Sequence, residues 1–100
     1  MTNLDRLQAW YVSQCDGDWE HSYGITISTL DNPGWTLEIE LNETELEEQE
    51  FEAYRLERSA DDWLFAQRKE MKFKVACGPK NLDEAMAIFC DWAEHSREND

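Results

Sequence analysis

The sequence predicts an α+β protein: a two-layer sandwich in which an antiparallel sheet of four or five strands is joined by an N-terminal and a C-terminal helix. Apolar residues recur at helical spacing at both ends of the chain. Between them, short stretches alternate apolar and polar side chains, the signature of strands with one buried face. Strands of that kind set between two amphipathic helices build such a sandwich.

The first helix carries Leu4, Leu7 and Tyr11 at i, i+3, i+7, with Gln14 next along and Trp10 beside them. Thr2 followed by Asp5 resembles a capping box. Gly17 is placed to end the helix in a left-handed conformation. Residues 22–30, SYGITISTL, then alternate, with Tyr23, Ile25 and Ile27 on one face and Thr26 and Ser28 on the other. Asp31-Asn32-Pro33-Gly34 is turn chemistry in which Pro sets one dihedral and Gly supplies a positive one. Residues 35–41, WTLEIEL, alternate again and close a hairpin, with Trp35, Leu37, Ile39 and Leu41 inward and Thr36, Glu38 and Glu40 outward.

The stretch NETELEEQE (42–50) reads as a loop or a ragged edge. A third strand is expected near 51–58. A turn at Ser59-Ala60-Asp61-Asp62 leads to a fourth strand near 63–69. Residues 70–77 extend that strand or form a short fifth one, with Met71, Phe73, Val75 and Cys77 on one face, and Gly78-Pro79 ends it. The last helix starts at Asn81, a capping residue, with Asp83 and Glu84 at the positive end of its dipole. Leu82, Ala85, Met86, Phe89 and Ala93 mark its buried face, joined by Cys90 and Trp92.

One hundred residues fit one domain spanning 1–100. A chain of this size buries roughly 60–65% of its unfolded surface, so one core suffices. Five Trp, four Phe and three Tyr supply large pieces of it. Trp10, Trp35, Trp63 and Trp92 lie on apolar faces and are expected in that core. Trp19, between two acids, either covers the core edge or stands exposed as an anchor. No apolar run approaches the ~18–20 residues that cross a bilayer. The first residues lack a basic region followed by an apolar one. The expectation is a cytoplasmic protein without membrane association. Cys15, Cys77 and Cys90 are an odd count at wide gaps, which is a poor disulfide framework and suits a reducing compartment.

A net charge of −14 argues against nucleic-acid binding, because phosphates would be repelled. It fits a basic protein partner drawn in by electrostatic steering, but by itself charge speaks first to an acidic, soluble surface with no partner meaning. The acidic run Glu43, Glu45, Glu47, Glu48, Glu50 and Glu52 is either a solvated loop or a contact surface for that partner, and Glu38 and Glu40 would extend its field.

The stretch CDGDWEHSYG (15–24) concentrates a thiol, carboxylates and an imidazole. A metal would draw on Cys15, Asp16, Asp18, Glu20 and His21, yet zinc needs Cys and His aimed at one ion and Cys15 is expected in the last helical turn, across Gly17 from the others, while the stretch has neither the length nor the spacing of a calcium loop. Asp18 and Glu20 beside His21 could serve acid–base chemistry, but no nucleophile or oxyanion donor stands nearby in sequence. Cys77 precedes a helix, as reactive thiolates do; Pro79 removes a backbone donor there and no Arg closes the loop, so Cys77 reads as a small buried residue. No catalytic residue, metal or cofactor is expected. As a turn, the stretch would use Gly17 to redirect the chain and Asp18 to accept backbone N–H bonds.

LQAWYVSQCDGDWEHSYGITISTLDNPGW (7–35) and NLDEAMAIFCDW (81–92) resemble the immunity protein 53 family of bacterial polymorphic-toxin systems, and the resemblance spans nearly the whole chain. It implies an α+β, non-enzymatic protein that binds and neutralises a cognate toxin domain. On that reading the acidic surface occludes a basic cleft, with Asp18, Trp19, Glu20, His21, Glu38, Glu40, Glu45, Glu47 and Glu48 as candidate toxin contacts. The alternative is a small enzyme or metal-binding protein using Asp18, Glu20 and His21.

Overall fold

The computed structural model describes residues 1–98. Its elements are α1 (Asn3–Gln14), α2 (Trp19–Ser22), β1 (Ile25–Leu30), β2 (Gly34–Glu40), β3 (Tyr54–Ser59), β4 (Asp62–Lys69), β5 (Lys72–Cys77) and α3 (Leu82–Glu98). The α+β class is as expected, with five strands, and residues 72–77 are a strand of their own. The short helix α2 was not anticipated.

All four strand pairings are antiparallel, in the order β1-β2-β5-β4-β3. The chain leaves β2 near one edge, enters β3 at the opposite edge, then returns inward through β4 to β5. The connection 41–53 therefore crosses three strand spacings, about 14 Å at ~4.8 Å each. That crossing rules out a tight turn between β2 and β3, and the segment that makes it is acidic.

Register assigns the two faces. Leu37 lies opposite Val75, Ile39 opposite Phe73, and Ala66 opposite Val75, so these side chains share one face. α1 and α3 cover that face. Leu37, Ile39, Leu64, Phe73 and Val75 form the core with Leu7, Trp10, Ala85, Met86, Phe89, Cys90 and Ala93. Phe89 meets Trp10 edge-on at 4.9 Å between centroids, and Phe73 stacks on Trp92 at 5.5 Å. The other face carries Thr36, Glu38, Lys74, Phe65 and Gln67 and is covered by no helix. Among the described residues no helix is long and apolar enough to cross a membrane.

Several local expectations change. Thr2 and Asp5 form the full capping box, with Asp5 N–H on Thr2 Oγ1 at 3.0 Å and Thr2 N–H on Asp5 Oδ2 at 3.2 Å. The buried stripe of α1, however, is Leu7 and Trp10; Leu4 and Tyr11 stay exposed because they lie beside the sheet edge rather than over its centre. α1 ends at an extended Cys15, and Gly17, with φ +97°, reverses the chain within the following turn instead of ending the helix. Gly34 lacks the expected positive φ; its need for glycine is spatial, since a Cβ there would sit 2.3 Å from the carbonyl oxygen of Cys77. Trp63 lies half-buried on the uncovered face, outside the core, because its register partner Glu57 belongs to that face. Met71 is exposed in the β4–β5 turn rather than aligned with Phe73.

Asn81 stands at the start of α3, where its carbonyl accepts from Ala85. Its side chain does not cap the helix as expected. The amide donates to Asp62 at 2.9 Å and to Glu84 at 3.1 Å, and Oδ1 is buried without a partner. Arg58 draws both carboxylates toward this position, with Asp62 at 2.8 Å and Glu84 at 2.6 Å, and holds both below the usual carboxylate range.

Candidate interaction site at the acidic end

The two acidic segments of the sequence meet at one end of the sheet. Trp19 joins them: its ring is 4% exposed, packs edge-on against Trp10, and its Nε1–H donates to the carbonyl of Asn42 at 2.9 Å. Burial of an indole needs such a partner, and this one fixes the 15–24 turn against the start of the 42–52 loop. Trp19 is thus the support beneath the surface, and its ring is not open to a partner.

The turn is built from carboxylates. Asp16 Oδ1 accepts the N–H groups of Asp18 and Trp19, both at 2.9 Å. Asp18, expected to accept backbone bonds, makes no side-chain cap and is exposed. The reason is position: a capping Asp reaches N–H groups two and three residues ahead, and from Asp16 those are the amides opening α2. Glu20 accepts from Asp16 N–H at 3.0 Å and Gly17 N–H at 2.9 Å. The N–H of Trp19, then that of Asp18, holds the Asp16 carboxyl below its ordinary value; for Glu20 the lowering comes from its own N–H and those of Asp16 and Gly17. His21 is exposed on the outer side of α2.

The 42–52 segment is a loop, the first of the two expected alternatives, and it is equally ordered. Leu46 is fully buried. Thr44 Oγ1 donates to Leu41 carbonyl at 2.8 Å and accepts from Leu46 N–H at 3.1 Å. Glu47 accepts from the N–H of Glu43, which has φ 60°, at 2.7 Å. Arg68 reaches out of β4 to the carbonyls of Leu46, Gln49 and Glu47, a use of the guanidinium fork that Lys cannot reproduce. Glu45 ties the loop to α1, accepting from Trp10 Nε1–H and Gln14 Nε2–H, both at 2.9 Å. Phe51, expected in the third strand, instead plugs the edge of the core beside Phe73 and Trp92.

The expected contact residues therefore divide. Asp18, Glu20, His21, Glu40, Glu45, Glu47 and Glu48 gather at this end, with Glu40 accepting from Gly24 N–H at 2.8 Å. Asp18, Glu45 and Glu48 are exposed, while Glu20, Glu40 and Glu47 are half-buried. Tyr23 marks the field they create: desolvation, and then Glu43, Glu40 and Glu47, push its hydroxyl above its ordinary pKa. Glu38 is elsewhere. It lies on the uncovered face opposite Lys74, 3.8 Å from Lys72 Nζ, where opposite charges offset it. Glu43 and Asp16 were missed as architects of the site, and Asp16 was legible from its Asx-turn position.

Among the described residues no group of three or more His, Cys, Asp or Glu side chains could hold a metal ion. The Glu20 carboxylate is engaged by backbone N–H groups. Burial raises the thiols of Cys77 and Cys90, the latter to about 11, which keeps both protonated and unreactive near neutrality.

A family model described as immunity protein 53 matches residues 4–94, nearly the whole chain. The chain belongs to the immunity protein 53 family. No curated protein and no solved structure matches it. In this immunity protein the matched span takes in nearly all of α1, the acidic turn, all five strands and most of α3.

Proposed function

We propose that this immunity protein acts in the bacterial cytoplasm and neutralises one cognate toxin domain by stoichiometric occlusion, without catalysis of its own. The acidic end covers a basic cleft of the toxin. The observation that carries this reading is the convergence of two acidic segments on one rigid platform, with Trp19, Leu46 and Arg68 beneath it. A net charge of −14 attracts a basic partner from a distance. At ~0.15 M salt that field decays over about 8 Å, so the final contacts are close ones through Asp18, His21, Glu45 and Glu48. Pre-ordering of the loop limits the entropy lost on binding.

Co-expression with the C-terminal domain of the large secreted protein encoded beside the gene tests this. Cells survive, survival is lost with a toxin domain from another system, and the Asp18→Lys/Glu48→Lys double variant protects less while folding normally. Death of cells that contain both soluble proteins would remove the proposed pairing.

A further inference from the structure

The two edges of the sheet are protected unequally. An open edge offers unpaired N–H and C=O groups to any extended chain, and soluble proteins blunt it with charge, proline or bulges. β3, YRLERS, is blunted by Arg55, Glu57 and Arg58 and by a register shift between Glu57 and Ser59. β1, ITISTL, has none of these devices, in a chain in which 32% of residues are charged.

Register identifies its open backbone groups. Glu40 N–H donates to Gly24 carbonyl at 3.1 Å, and the pairing continues as Ile25↔Ile39 and Thr26↔Glu38. Antiparallel pairs alternate between bonded and non-bonded. Thr26, Ser28 and Leu30 therefore face β2, and Ile25, Ile27 and Thr29 direct their N–H and C=O groups away from the sheet. Alongside runs a groove of about 330 Å³ between α1 and β1, lined by Leu4, Leu7, Tyr11, Ile25 and Ile27. Leu4 is 49% exposed, Ile27 41% and Tyr11 36%. Single exposed apolar residues are ordinary, but three lining one groove beside unpaired backbone mark a contact surface.

Building on the function proposed above, we infer that this edge receives an extended segment of the toxin domain as an added strand. Its main chain pairs with Ile25, Ile27 and Thr29, and its alternate apolar side chains fill the α1–β1 groove. Charge selects the occupant. Glu40 and Glu20 stand at the Gly24–Tyr11 end, and Asp31 directly follows β1 at the other. Lys or Arg flanking an apolar centre complements both ends. A second copy paired antiparallel through β1 would instead bring the Glu40 end of each chain against Asp31 of the other, a like-charge arrangement.

Amide exchange read by NMR on the labelled chain, with and without the catalytically inactivated toxin domain, tests this. The Ile27 and Thr29 amides exchange fast in the free protein and slow on the order of a hundredfold in the complex. Those of Thr26 and Ser28, already bonded to β2, are slow in both. Thr29→Pro removes one outward donor without touching the β2 pairing and weakens binding on the order of tenfold; Ile27→Lys, which places a charge in the groove, weakens it further. A complex in which Ile27 and Thr29 still exchange at the free rate overturns strand addition and leaves the immunity function standing. No complex with a soluble toxin domain overturns both. Protection that grows with concentration of the chain alone assigns the edge to a second copy and overturns the toxin segment as occupant.

Discussion

Asp16 and Asp18 are the same residue type two positions apart, and the fold gives them opposite work. Asp16 Oδ1 satisfies two amides at the start of α2, while Asp18 faces solvent. Asp16→Ala therefore lowers the urea midpoint clearly, and Asp18→Ala leaves it nearly unchanged; equal effects would contradict this division. Glu20 adds a pH signature. Its carboxyl is lowered in the folded state, so the stability it contributes is present above the ordinary carboxylate value of about 4.3 and is lost as pH falls through the lowered one. The stability gap between the parent and Glu20→Gln is accordingly full near pH 7 and closes as pH falls through the lowered value. A urea series across that range checks it, and a gap that persists in acid would mean that Glu20 acts through shape. Three carboxylates crowded into residues 16–20 could each cap a turn, and the sequence ranks them only through the reach of an Asx cap.

At the scale of elements, the 42–52 loop shows how a polar segment acquires structure. Its Glu-rich composition reads as solvated, yet one apolar residue and one distant cation order it. Leu46→Ala removes a fully buried side chain and costs about 2–5 kcal/mol in chemical denaturation. Arg68→Lys keeps the charge and loses the fork that joins three loop carbonyls. Exchange of loop amides then quickens while β5 stays protected; an unaffected loop would assign its order to Leu46 alone. Leu46 had no periodic neighbours to announce it, and Arg68 lies in a strand more than a dozen residues away. The strands themselves were legible because alternation is a local property. β1 shows its limit: as an edge strand it leaves Ile27 exposed although the alternation places it inward.

The whole molecule separates its charges. The turn at 15–24 and the 40–52 segment concentrate carboxylates at one end, while Lys72, Lys74 and Arg55 offset the acids of the uncovered sheet face. Net charge alone does not convey that polarity. Association with the toxin domain therefore slows several-fold as salt rises from ~0.05 to ~0.5 M, while dissociation changes less, as stopped-flow mixing would record. A salt-independent association rate would remove steering from the mechanism.

The sequence by itself determined the α+β class, the hairpin, both terminal helices and the family, because capping boxes, period-two alternation, turn residues and family strings are local or linear signals. Tertiary structure alone decided the strand order that sends 41–53 across the sheet, the meeting of two acidic segments over Trp19, the removal of Glu38 from that site and the bare edge at β1. Each of these depends on which strands become neighbours. That choice is made by burial of one shared apolar face, a long-range term no single stretch of the chain contains.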